Sequence, residues 1–381
     1  MSALKRLTTK KPVKLIFTGG FLGSGKTTAL AALAKSLIQR GKRVGIITND
    51  QSENLVDTVI VRQMLADLNV PVEEVVEGCF CCKFEELVNQ MEKILSHDPD
   101  ILMGEPVGSC TDFVAAVANP IKIHYHESLH FAPFSIMVDP DRVRELLLKE
   151  TLTGFPEEVA YLFKKQMEEA DIIVLNKIDL LGKRESDRLL ITIKEKFTEK
   201  AVTAVSARSG DGMDDWLKFL LSGKPAANSV LRQIDYDRYA AAEAVLGWLN
   251  AAVRITSREG FDVEKFVYEL AISLREAFAQ LNAEVGHLKF VFTSAGKSMW
   301  MNLTRLSAEP SSGGAKLESL SRGTLIINAR VRLEPDTLEK IVRDALRSVS
   351  ESATLQAEIL DLQCFSPAYP APPYLVRESI S

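Results

Sequence analysis

Short apolar runs alternate with amphipathic helical patterns over residues 13 to about 221 of the chain. This alternation is typical of a mostly parallel β-sheet that is covered by helices on both faces, so we predict an α/β fold here. Apolar residues at helical spacing from Leu30 to Leu37 predict a helix after the first run, and Gly41 ends it. The predicted strands are residues 13–18, 43–48, 72–76, 100–104, 134–139, 171–175 and 201–205.

A turn-rich stretch at residues 222–229, Ser-Gly-Lys-Pro-Ala-Ala-Asn-Ser, interrupts this pattern and is expected to link two domains. After it, the apolar pattern predicts strands near 244–255, 287–293, 298–306 and 324–333 and helices over 263–281 and 335–349. That order suits a smaller α+β domain, with residues 310–314 as a loop. The predicted organisation is a basic tail (1–12), an α/β domain (13–222), a linker (223–231), a C-terminal α+β domain (232–364) and a proline-rich tail (365–381).

Composition narrows the classes of protein that this chain can represent. Its 381 residues suffice for two or three domains, each with its own core. The 46 basic and 51 acidic residues nearly cancel, which argues against a nucleic-acid partner. The sequence has neither a signal-peptide pattern nor an apolar stretch of membrane-spanning length, and five cysteines are too few for a disulfide framework. We therefore expect a soluble, cytoplasmic protein with reduced thiols and no membrane partner.

A phosphate-binding loop, Gly-Phe-Leu-Gly-Ser-Gly-Lys-Thr, lies between the first predicted strand and its helix. Its glycines allow a tight turn that directs backbone N–H groups towards phosphate oxygens. Lys26 supplies a positive charge for the β- and γ-phosphates, and the Thr27 hydroxyl is a ligand for Mg²⁺. The sequence thus predicts a P-loop nucleoside triphosphatase whose phosphate site comprises Gly20, Gly23, Ser24, Gly25, Lys26, Thr27 and Thr28.

A second motif, Asn-Lys-Ile-Asp, follows a predicted strand and indicates the base of the nucleotide. The Asp179 carboxylate can accept hydrogen bonds from guanine N1–H and its N2 amine, whereas adenine has an acceptor at N1 and no amine there. Asn176 is expected to brace the loop, and the stem of Lys177 to cover the base. Ser206 and Ala207, just past the next strand, are expected to offer a backbone N–H to the base oxygen. We therefore predict a guanine nucleotide.

Acidic residues are predicted at the same sheet edge as the phosphate loop, because they follow neighbouring strands. Glu105 follows the fourth predicted strand and is expected near Mg²⁺, with Gly108 close to the γ-phosphate. Asp50 and Glu53 follow the second strand; we predict that Asp50 contacts Mg²⁺ and that Glu53 positions the attacking water. Solvated loop acids are the alternative interpretation. The predicted catalytic residues are Lys26, Glu53 and Glu105, and the predicted Mg²⁺ residues are Thr27, Asp50 and Glu105.

Three cysteines, Cys79, Cys81 and Cys82, lie within four positions after the third predicted strand. Thiolates this close together can bind a borderline divalent ion such as Zn²⁺ or Co²⁺, with a fourth ligand from Glu77, water or another chain. Buried structural cysteines and a redox-sensing thiol group are the alternatives. No role is predicted for Cys110. Three histidines are assigned to a surface loop rather than a metal site, namely His124, His126 and His130.

The order of these motifs resembles the CobW/HypB/UreG class of P-loop GTPases, and most closely its CobW-type branch. The phosphate loop, the Gly-Cys-Phe-Cys-Cys segment, the step from Glu105 to Gly108 and a switch-like segment from Asn49 to Asp57 are all similar to those of the class. The resemblance covers about residues 13–220. It implies a GTPase whose turnover is coupled to handling a metal ion or metal cofactor, usually zinc or cobalt, with the three cysteines as ligands. The chain departs from the branch pattern at Ser52, Lys83 and Pro106.

Three functions are compatible with these residues. The first is a GTP-binding protein that hydrolyses GTP, slowly without metal or partner, and couples this to delivering zinc, cobalt or a metal cofactor to a client protein. The second is a GTP-dependent regulatory or cofactor-protein chaperone whose cysteines are redox-active or structural. The third is a P-loop ATPase or small-molecule kinase. The resemblance favours the first and leaves open the metal, the client and a dimer that depends on nucleotide or metal.

Overall fold

A computed structural model describes residues 7, 9–49, 56–149, 154–224, 226–317 and 319–380. The first part of the chain forms, in order, β1 (Val13–Gly19), α1 (Lys26–Gln39), β2 (Val44–Asn49), α2 (Val56–Met64), β3 (Val72–Val75), α3 (Phe84–Leu95), β4 (Ile101–Gly104), α4 (Asn119–Tyr125), β5 (Leu129–Phe131), β6 (Ser135–Val138), α5 (Pro140–Leu148), α6 (Glu157–Glu169), β7 (Ile172–Leu175), α7 (Lys183–Lys196), β8 (Ala201–Ala204) and α8 (Met213–Leu221). Short 3₁₀ helices cover Ala66–Leu68 and Ile178–Leu180, and a π-helix covers Val114–Ala118.

The strands of this part form one parallel sheet in the order β3-β2-β4-β1-β6-β7-β8, with β5 paired to the first half of β1. The predicted α/β fold is therefore confirmed. Each of the predicted strands is present, displaced by no more than one residue at either end. The sequence analysis did not find β5, which contributes three residues and has a single buried side chain.

Both faces of the parallel sheet are covered, because successive side chains of each strand point into different cores. In β1, Leu15 and Phe17 join one apolar cluster and Ile16 joins the other. In β7, Ile173 joins the first of these clusters and Ile172 joins the second. This burial explains why the strands read as continuous apolar runs rather than as alternating ones. The polar residues that follow each strand are thereby left at the edges of the sheet.

The second part of the chain forms α9 (Tyr236–Ala244), β9 (Gly247–Phe261), α10 (Val263–Gln280), β10 (Val285–Ser294), β11 (Lys297–Leu303), β12 (Ser311–Gly314), β13 (Leu320–Val331), α11 (Pro335–Ser352) and β14 (Gln356–Phe365). Its strands make a six-stranded antiparallel sheet in the order β12-β11-β10-β13-β9-β14. The predicted C-terminal α+β region is confirmed. The prediction of a loop at 310–314 is wrong, because β12 pairs with β11 there. The indole of Trp300 lies over Gly313, where a Cβ would be 2.3 Å from the ring, so this position has no room for a side chain. β12 consists of serines and glycines and therefore shows no apolar pattern in the sequence.

One face of the antiparallel sheet packs on α10 and α11, and the other face packs on α2 of the first part. In β10, Leu288, Phe290 and Phe292 point to the helices. Lys289 and Val291 alternate with them, and Val291 packs against α2. The helix that begins just after the second strand of the first sheet is thus held between the two sheets. Among the described residues, the longest and most apolar helices still fall short of what a membrane crossing requires.

The segment that follows β14, residues 366–380, contains neither helix nor strand and packs on the first part of the chain. The ring of Tyr374 lies 5.0 Å from that of Phe84 at the start of α3. Arg377 forms an ion pair of 2.8 Å with Asp112, whose side chain is fully buried. The chain therefore returns from the second sheet to cover the region that follows β4.

Candidate functional site

The polar residues singled out in the sequence converge on the carboxyl-terminal edge of the parallel sheet. The phosphate loop leaves β1, the cysteine segment follows β3, Glu105 follows β4 and Asn176 follows β7. Parallel strands place all these ends on one side, which is where open α/β sheets bind ligands. Asp50 and Glu53, which the sequence predicts at this edge, lie outside the described residues.

The phosphate loop has the backbone that its glycines allow. Gly25 has φ +94°, and a Cβ there would lie 2.4 Å from Nδ2 of Asn176. Gly20 has φ +131°, and a Cβ there would lie 2.1 Å from the carbonyl oxygen of Met137. Both positions therefore exclude larger residues on two grounds, strain and contact. The loop also contains the buried Ser24, whose hydroxyl makes no hydrogen bond to the described residues.

Lys26 lies at the first position of α1, beneath the loop, and is 9% exposed. Its ammonium group donates a hydrogen bond of 2.8 Å to the carbonyl oxygen of Gly20. Burial lowers the pKa of Lys26, and the nearby carboxylate of Glu105 opposes this effect. The next two residues, Thr27 and Thr28, continue the first turn of the helix and are half-buried. A positive charge and a hydroxyl are thereby held at the helix N-terminus, the arrangement that binds a nucleotide phosphate.

The Thr27 hydroxyl lies between two carboxylates. Its oxygen lies 3.0 Å from Oδ1 of Asp57 and 3.0 Å from Oε1 of Glu105, so the two carboxylates share its single proton. Glu105 is 2% exposed, and its other carboxylate oxygen makes no hydrogen bond to the described residues. Burial, and then the charge of Asp57, raise the pKa of Glu105 to about 7. A hydroxyl with two carboxylates and an unused buried oxygen is a donor set that fits Mg²⁺.

Asp57 has a partner from the second sheet that the sequence analysis did not identify. Nζ of Lys289 lies 2.6 and 2.9 Å from the two carboxylate oxygens of Asp57. Burial alone would raise the pKa of Asp57, but the charge and hydrogen bonds of Lys289 hold that pKa below its usual value. No local pattern marks Lys289, because its position depends on the packing of β10 against α2. The side chain of Asp57 therefore contacts both Thr27 of the first helix and a cation from the second sheet.

The segment from Glu105 to Gly108 packs directly on the phosphate loop. A Cβ on Gly108 would lie 2.5 Å from the side chain and 2.9 Å from the backbone nitrogen of Leu22. The backbone at this position therefore approaches the loop as closely as glycine permits. A displacement of either segment must move the other.

The predicted base-binding residues form one hydrogen-bonded group. Nδ2 of Asn176 donates to the carbonyl oxygen of Ser24 at 2.9 Å, and Oδ1 of Asn176 accepts from the backbone N–H of Ala207 at 3.0 Å. The hydroxyl of Ser206 donates to Asp179 at 2.7 Å. Nζ of Lys177, a residue in the left-handed conformation, donates to the carbonyl oxygen of Gly23 at 2.6 Å.

These bonds tie the Asn-Lys-Ile-Asp segment to the phosphate loop on one side and to the loop after β8 on the other. Asp179 itself is exposed, so its carboxylate faces solvent while Ser206 orients it. The arrangement offers a carboxylate and a stretched lysine stem at the edge of the phosphate site. That is the chemistry required to bind a base with two adjacent N–H donors.

The three clustered cysteines are reduced, and their sulfur atoms lie within 4.8 Å of one another. Sγ of Cys81 is 2.6 Å from that of Cys79 and 3.9 Å from that of Cys82. Hydrogen bonds from Cys79 and Cys81 lower the pKa of Cys82, so the group already favours one thiolate. Three sulfur donors converging in a largely buried position fit a borderline divalent ion.

Asn49, the last residue of β2, holds the cysteine segment in place. Its Nδ2 donates to the carbonyl oxygens of Val75 and Gly78 at 3.0 and 2.7 Å, and its Oδ1 accepts from the backbone N–H of Phe80 at 2.9 Å. Phe80 is fully buried and packs edge-on against Phe17 of β1. A residue at the carboxyl-terminal edge of the parallel sheet therefore braces the cysteine segment through three hydrogen bonds.

The remaining candidate metal ligands differ in their exposure to solvent. Cys110 is buried, and it lies outside the group of three sulfur atoms that are within 4.8 Å of one another. The side chain of Glu77 is 63% exposed, lies 3.9 Å from Lys83, and is outside the group of converging sulfur ligands. The three histidines are exposed, but the prediction of a common surface loop is wrong, because His124 lies in α4 and His130 in β5. Within the described part of the chain, the three clustered cysteines are the group with metal-ligand geometry.

Comparison with known proteins gives a family match over half of the chain. A model of the CobW/HypB/UreG nucleotide-binding domain matches residues 14–204. The zinc chaperone CobW of a Sinorhizobium species is 26% identical over 210 residues, which are 50% of this chain and 58% of that protein. Zinc-regulated GTPase metalloprotein activator 1 of Schizosaccharomyces pombe is 25% identical over 185 residues, which are 46% of this chain and 41% of that protein.

The chain spans about half the length of these curated relatives. Among solved structures, HypB from Helicobacter pylori in complex with nickel is 17% identical, with a TM-score of 0.40, and the match covers 59% of this chain and 93% of that one.

Proposed function

The chain belongs to the CobW/HypB/UreG nucleotide-binding family, and from this premise we propose that it is a GTPase that couples Mg²⁺·GTP to the binding and delivery of Zn²⁺ or Co²⁺. The metal is the cargo of this reaction, bound by Cys79, Cys81 and Cys82. The client is a metalloprotein or a protein that depends on a metal cofactor. We place this activity in the cytoplasm, where thiols stay reduced.

The observation that carries the proposal is the position of Asn49. Its amide side chain makes three hydrogen bonds to the cysteine segment. Its backbone ends the strand that leads into the switch-like residues 50–55. A change at the nucleotide that moves this strand end would also change the geometry of the thiols. Coupling between two sites requires one element that both ligands bias, and Asn49 is the element that we propose for this role.

The nucleotide would be held by residues whose geometry is compatible with that role. Lys26 would neutralise the β- and γ-phosphates, and Thr27 with Glu105 would hold Mg²⁺ directly or through water. Mg²⁺ supplies charge neutralisation at the phosphate oxygens during transfer. Asp179, oriented by Ser206, would accept the two guanine donors. The roles of Asp50 in binding Mg²⁺ and of Glu53 in positioning water stay predictions from the sequence.

The relatives named above support the choice of cargo. One is named a zinc chaperone and the other a zinc-regulated GTPase metalloprotein activator. Sulfur-rich sites favour zinc and cobalt over magnesium or calcium, which agrees with three thiols in this chain. The second sheet, which packs on α2 through Val291, is a suitable surface for linking nucleotide state to client binding.

The experiment is to measure GTP and ATP affinity and GTP turnover of metal-free protein, then repeat both with Zn²⁺ and with Co²⁺. The variant replaces Cys79, Cys81 and Cys82 with serine, and the matched control is Cys364→Ser, which removes a half-buried thiol of β14. We expect metal to change GTP affinity or turnover in wild type and in the control, and to have no effect in the triple variant.

The alternatives predict other results. A GTP turnover that does not respond to metal but changes when the thiols are oxidised would indicate a regulatory chaperone with redox cysteines. ATP that competes well with GTP, and an Asp179→Ala variant with unchanged affinity, would indicate an ATPase or small-molecule kinase. If metal leaves GTP affinity and turnover unchanged in wild type, the coupling that we propose is refuted.

A further inference from the structure

We propose that the first part of the chain carries a groove that binds an extended peptide of the client protein, and that the C-terminal segment (residues 366–380) fills this groove when no client is present. The peptide that fits has an aromatic side chain and, three positions later, an arginine. This inference rests on the proposed function, because it gives the chemistry by which the client is recognised.

The floor of the groove is a pocket for a guanidinium group. Its base is Asp112, which is 0% exposed. Nη1 and Nη2 of Arg377 lie 3.1 and 2.8 Å from the two carboxylate oxygens of Asp112, and the hydroxyl of Tyr236 donates to the same carboxylate at 2.8 Å. Nη1 also donates to the carbonyl oxygen of Leu231 at 3.0 Å. Two parallel N–H···O bonds match the planar fork of arginine and not the single ammonium of lysine, so the pocket selects arginine.

The wall of the groove binds the main chain on either side of that arginine. Nδ2 of Asn119, a residue that is 0% exposed, donates to the carbonyl oxygens of Val376 and Glu378, each at 2.8 Å. The carbonyl oxygen of Ala115 accepts from the backbone N–H of Val376 at 2.9 Å. These three bonds use only main-chain atoms of the bound segment. An extended peptide of another protein can therefore make them equally well.

The C-terminal segment is attached in a way that allows it to leave. It contains neither helix nor strand, and most of its residues are exposed. Tyr374 and Val376 are half-buried, whereas Leu375 between them is 45% exposed, so the segment presents alternate side chains to the groove. Segments with few buried contacts open at a small free-energy cost, without unfolding of the rest of the protein.

Charge complementarity determines what replaces the segment. A buried carboxylate that loses its cation is strongly destabilised, so Asp112 favours a groove that is always occupied. A client peptide with an arginine satisfies this requirement, because one guanidinium group takes the place of another. A peptide without a cation leaves the carboxylate unpaired and is rejected.

The groove lies next to both proposed sites. The ring of Tyr374 is 5.0 Å from that of Phe84, which comes two positions after Cys82 of the cysteine segment. Asp112 belongs to the stretch after β4 that also carries Glu105. A client peptide in the groove would thus be held beside the metal cargo, on a stretch that begins at the nucleotide site.

The test is a fluorescence-anisotropy titration of a labelled peptide with the sequence of residues 370–380. The full-length proteins are wild type, Arg377→Met, Asp112→Asn and the control Arg347→Met, which removes a 67% exposed arginine of α11. Asparagine tolerates the positive φ of 66° at position 112, so Asp112→Asn removes the charge and keeps the backbone. A second peptide carries Arg377→Met.

We expect weak binding to wild type and to Arg347→Met, because their own C-terminal segment competes at high effective concentration. Arg377→Met should bind the peptide at least about tenfold more tightly, since its own segment lacks the charged hydrogen bonds. Asp112→Asn should not bind the peptide, and the peptide without arginine should bind to none of the proteins. A random peptide library selected on Arg377→Met should enrich an aromatic residue three positions before an arginine.

Hydrogen exchange tests the same idea on wild type without any substitution. The amide of Val376 should exchange at least about a hundredfold faster than the buried amides of β1. Equal protection of these amides, or no binding of the peptide to Arg377→Met, would overturn the proposal. A wild-type dimer that Arg377→Met dissociates would show that the segment of a second copy fills the groove, and this would overturn the assignment to a client.

These measurements need neither metal nor nucleotide, so their failure leaves the proposed function intact. A GTP affinity and turnover that do not respond to metal would refute the proposed function, whatever the peptide does.

Discussion

The ion pair between Lys289 and Asp57 offers the sharpest test of how the second sheet acts on the nucleotide site. We consider Lys289→Met, which keeps most of the side-chain volume and removes the charge. The substitution leaves the carboxylate of Asp57 without its cation and with the Thr27 hydroxyl as its remaining donor among these groups. The protein should become less stable.

The size of the effect follows from burial. Lys289 and Asp57 are 16% and 15% exposed, and two contacts of 2.6 and 2.9 Å join them. Removing one partner of a fully buried pair costs about 3–5 kcal/mol, while an exposed pair contributes less than about 1 kcal/mol. We therefore expect a loss of about 3 kcal/mol. For domains of roughly 150–250 residues this corresponds to a Tm lower by about 6–12 °C.

Mg²⁺ should reduce this loss. Its proposed ligand Thr27 lies 3.0 Å from Asp57, so a bound dication would neutralise the same carboxylate that Lys289 serves. We expect Lys289→Met to lose markedly less stability with Mg²⁺ and a non-hydrolysable GTP analogue than without them. The matched control is Lys297→Met, which removes an exposed charge from the neighbouring strand β11 and should change stability by less than about 0.5 kcal/mol.

The assay is chemical denaturation and thermal unfolding of wild type and both variants, with and without the ligand. Equal destabilisation in the two conditions would refute the idea that Mg²⁺ and Lys289 share Asp57. A loss below about 1 kcal/mol without ligand would mean that solvent screens the pair as it does on a surface.

Three further substitutions test other parts of the structure. Gly25→Ala should abolish nucleotide binding by equilibrium titration and leave the circular dichroism spectrum intact, because φ is +94° and the new Cβ meets Asn176 at 2.4 Å; normal affinity would contradict the loop geometry. Burial, and then the charge of Asp112, raise the pKa of Glu169 from 4.5 to about 8. The folded state therefore keeps a proton on Glu169 that the unfolded chain releases, so this group should lower stability by about 1.4 kcal/mol per pH unit from about pH 4.5 to 8, beside the contribution of Glu105 below about pH 7. Glu169→Gln should reduce the slope measured in unfolding experiments by that amount, and an unchanged slope would rule out Glu169 as a contributor. Arg377→Met leaves Asp112 buried without its ion-pair partner and should lower the Tm measured by thermal unfolding by several degrees. A Tm equal to that of wild type would mean that the packing of residues 366–380 does not contribute to stability.

The sequence was most informative where function depends on neighbours along the chain. The phosphate loop needs glycine at positive φ, and the lysine and threonine that follow it are the next residues of the same helix. Most of the parallel strands are buried on both faces and appear as apolar runs, and the seven that the sequence predicted were located to within one residue at either end.

The sequence-based prediction failed for strands that form by pairing with a neighbouring strand and have no apolar pattern of their own. β12 consists of two serines and two glycines, so it has no apolar alternation, and it exists because β11 and Trp300 lie beside it. β14 was not found for a related reason. β14 has half-buried side chains rather than a buried face, and its partner β9 lies about a hundred residues earlier in the chain.

The sequence by itself determined the local chemistry of this protein: a phosphate loop, a base-recognition motif, and three thiols after one strand. Tertiary structure alone decided which distant groups join them. Lys289 reaches Asp57 because alternate residues of β10 face α2. Asn49 reaches the cysteine segment because β2 and β3 pair side by side and end at the same sheet edge. Such contacts depend on how elements pack, and packing is a property of surfaces that no single stretch of sequence contains.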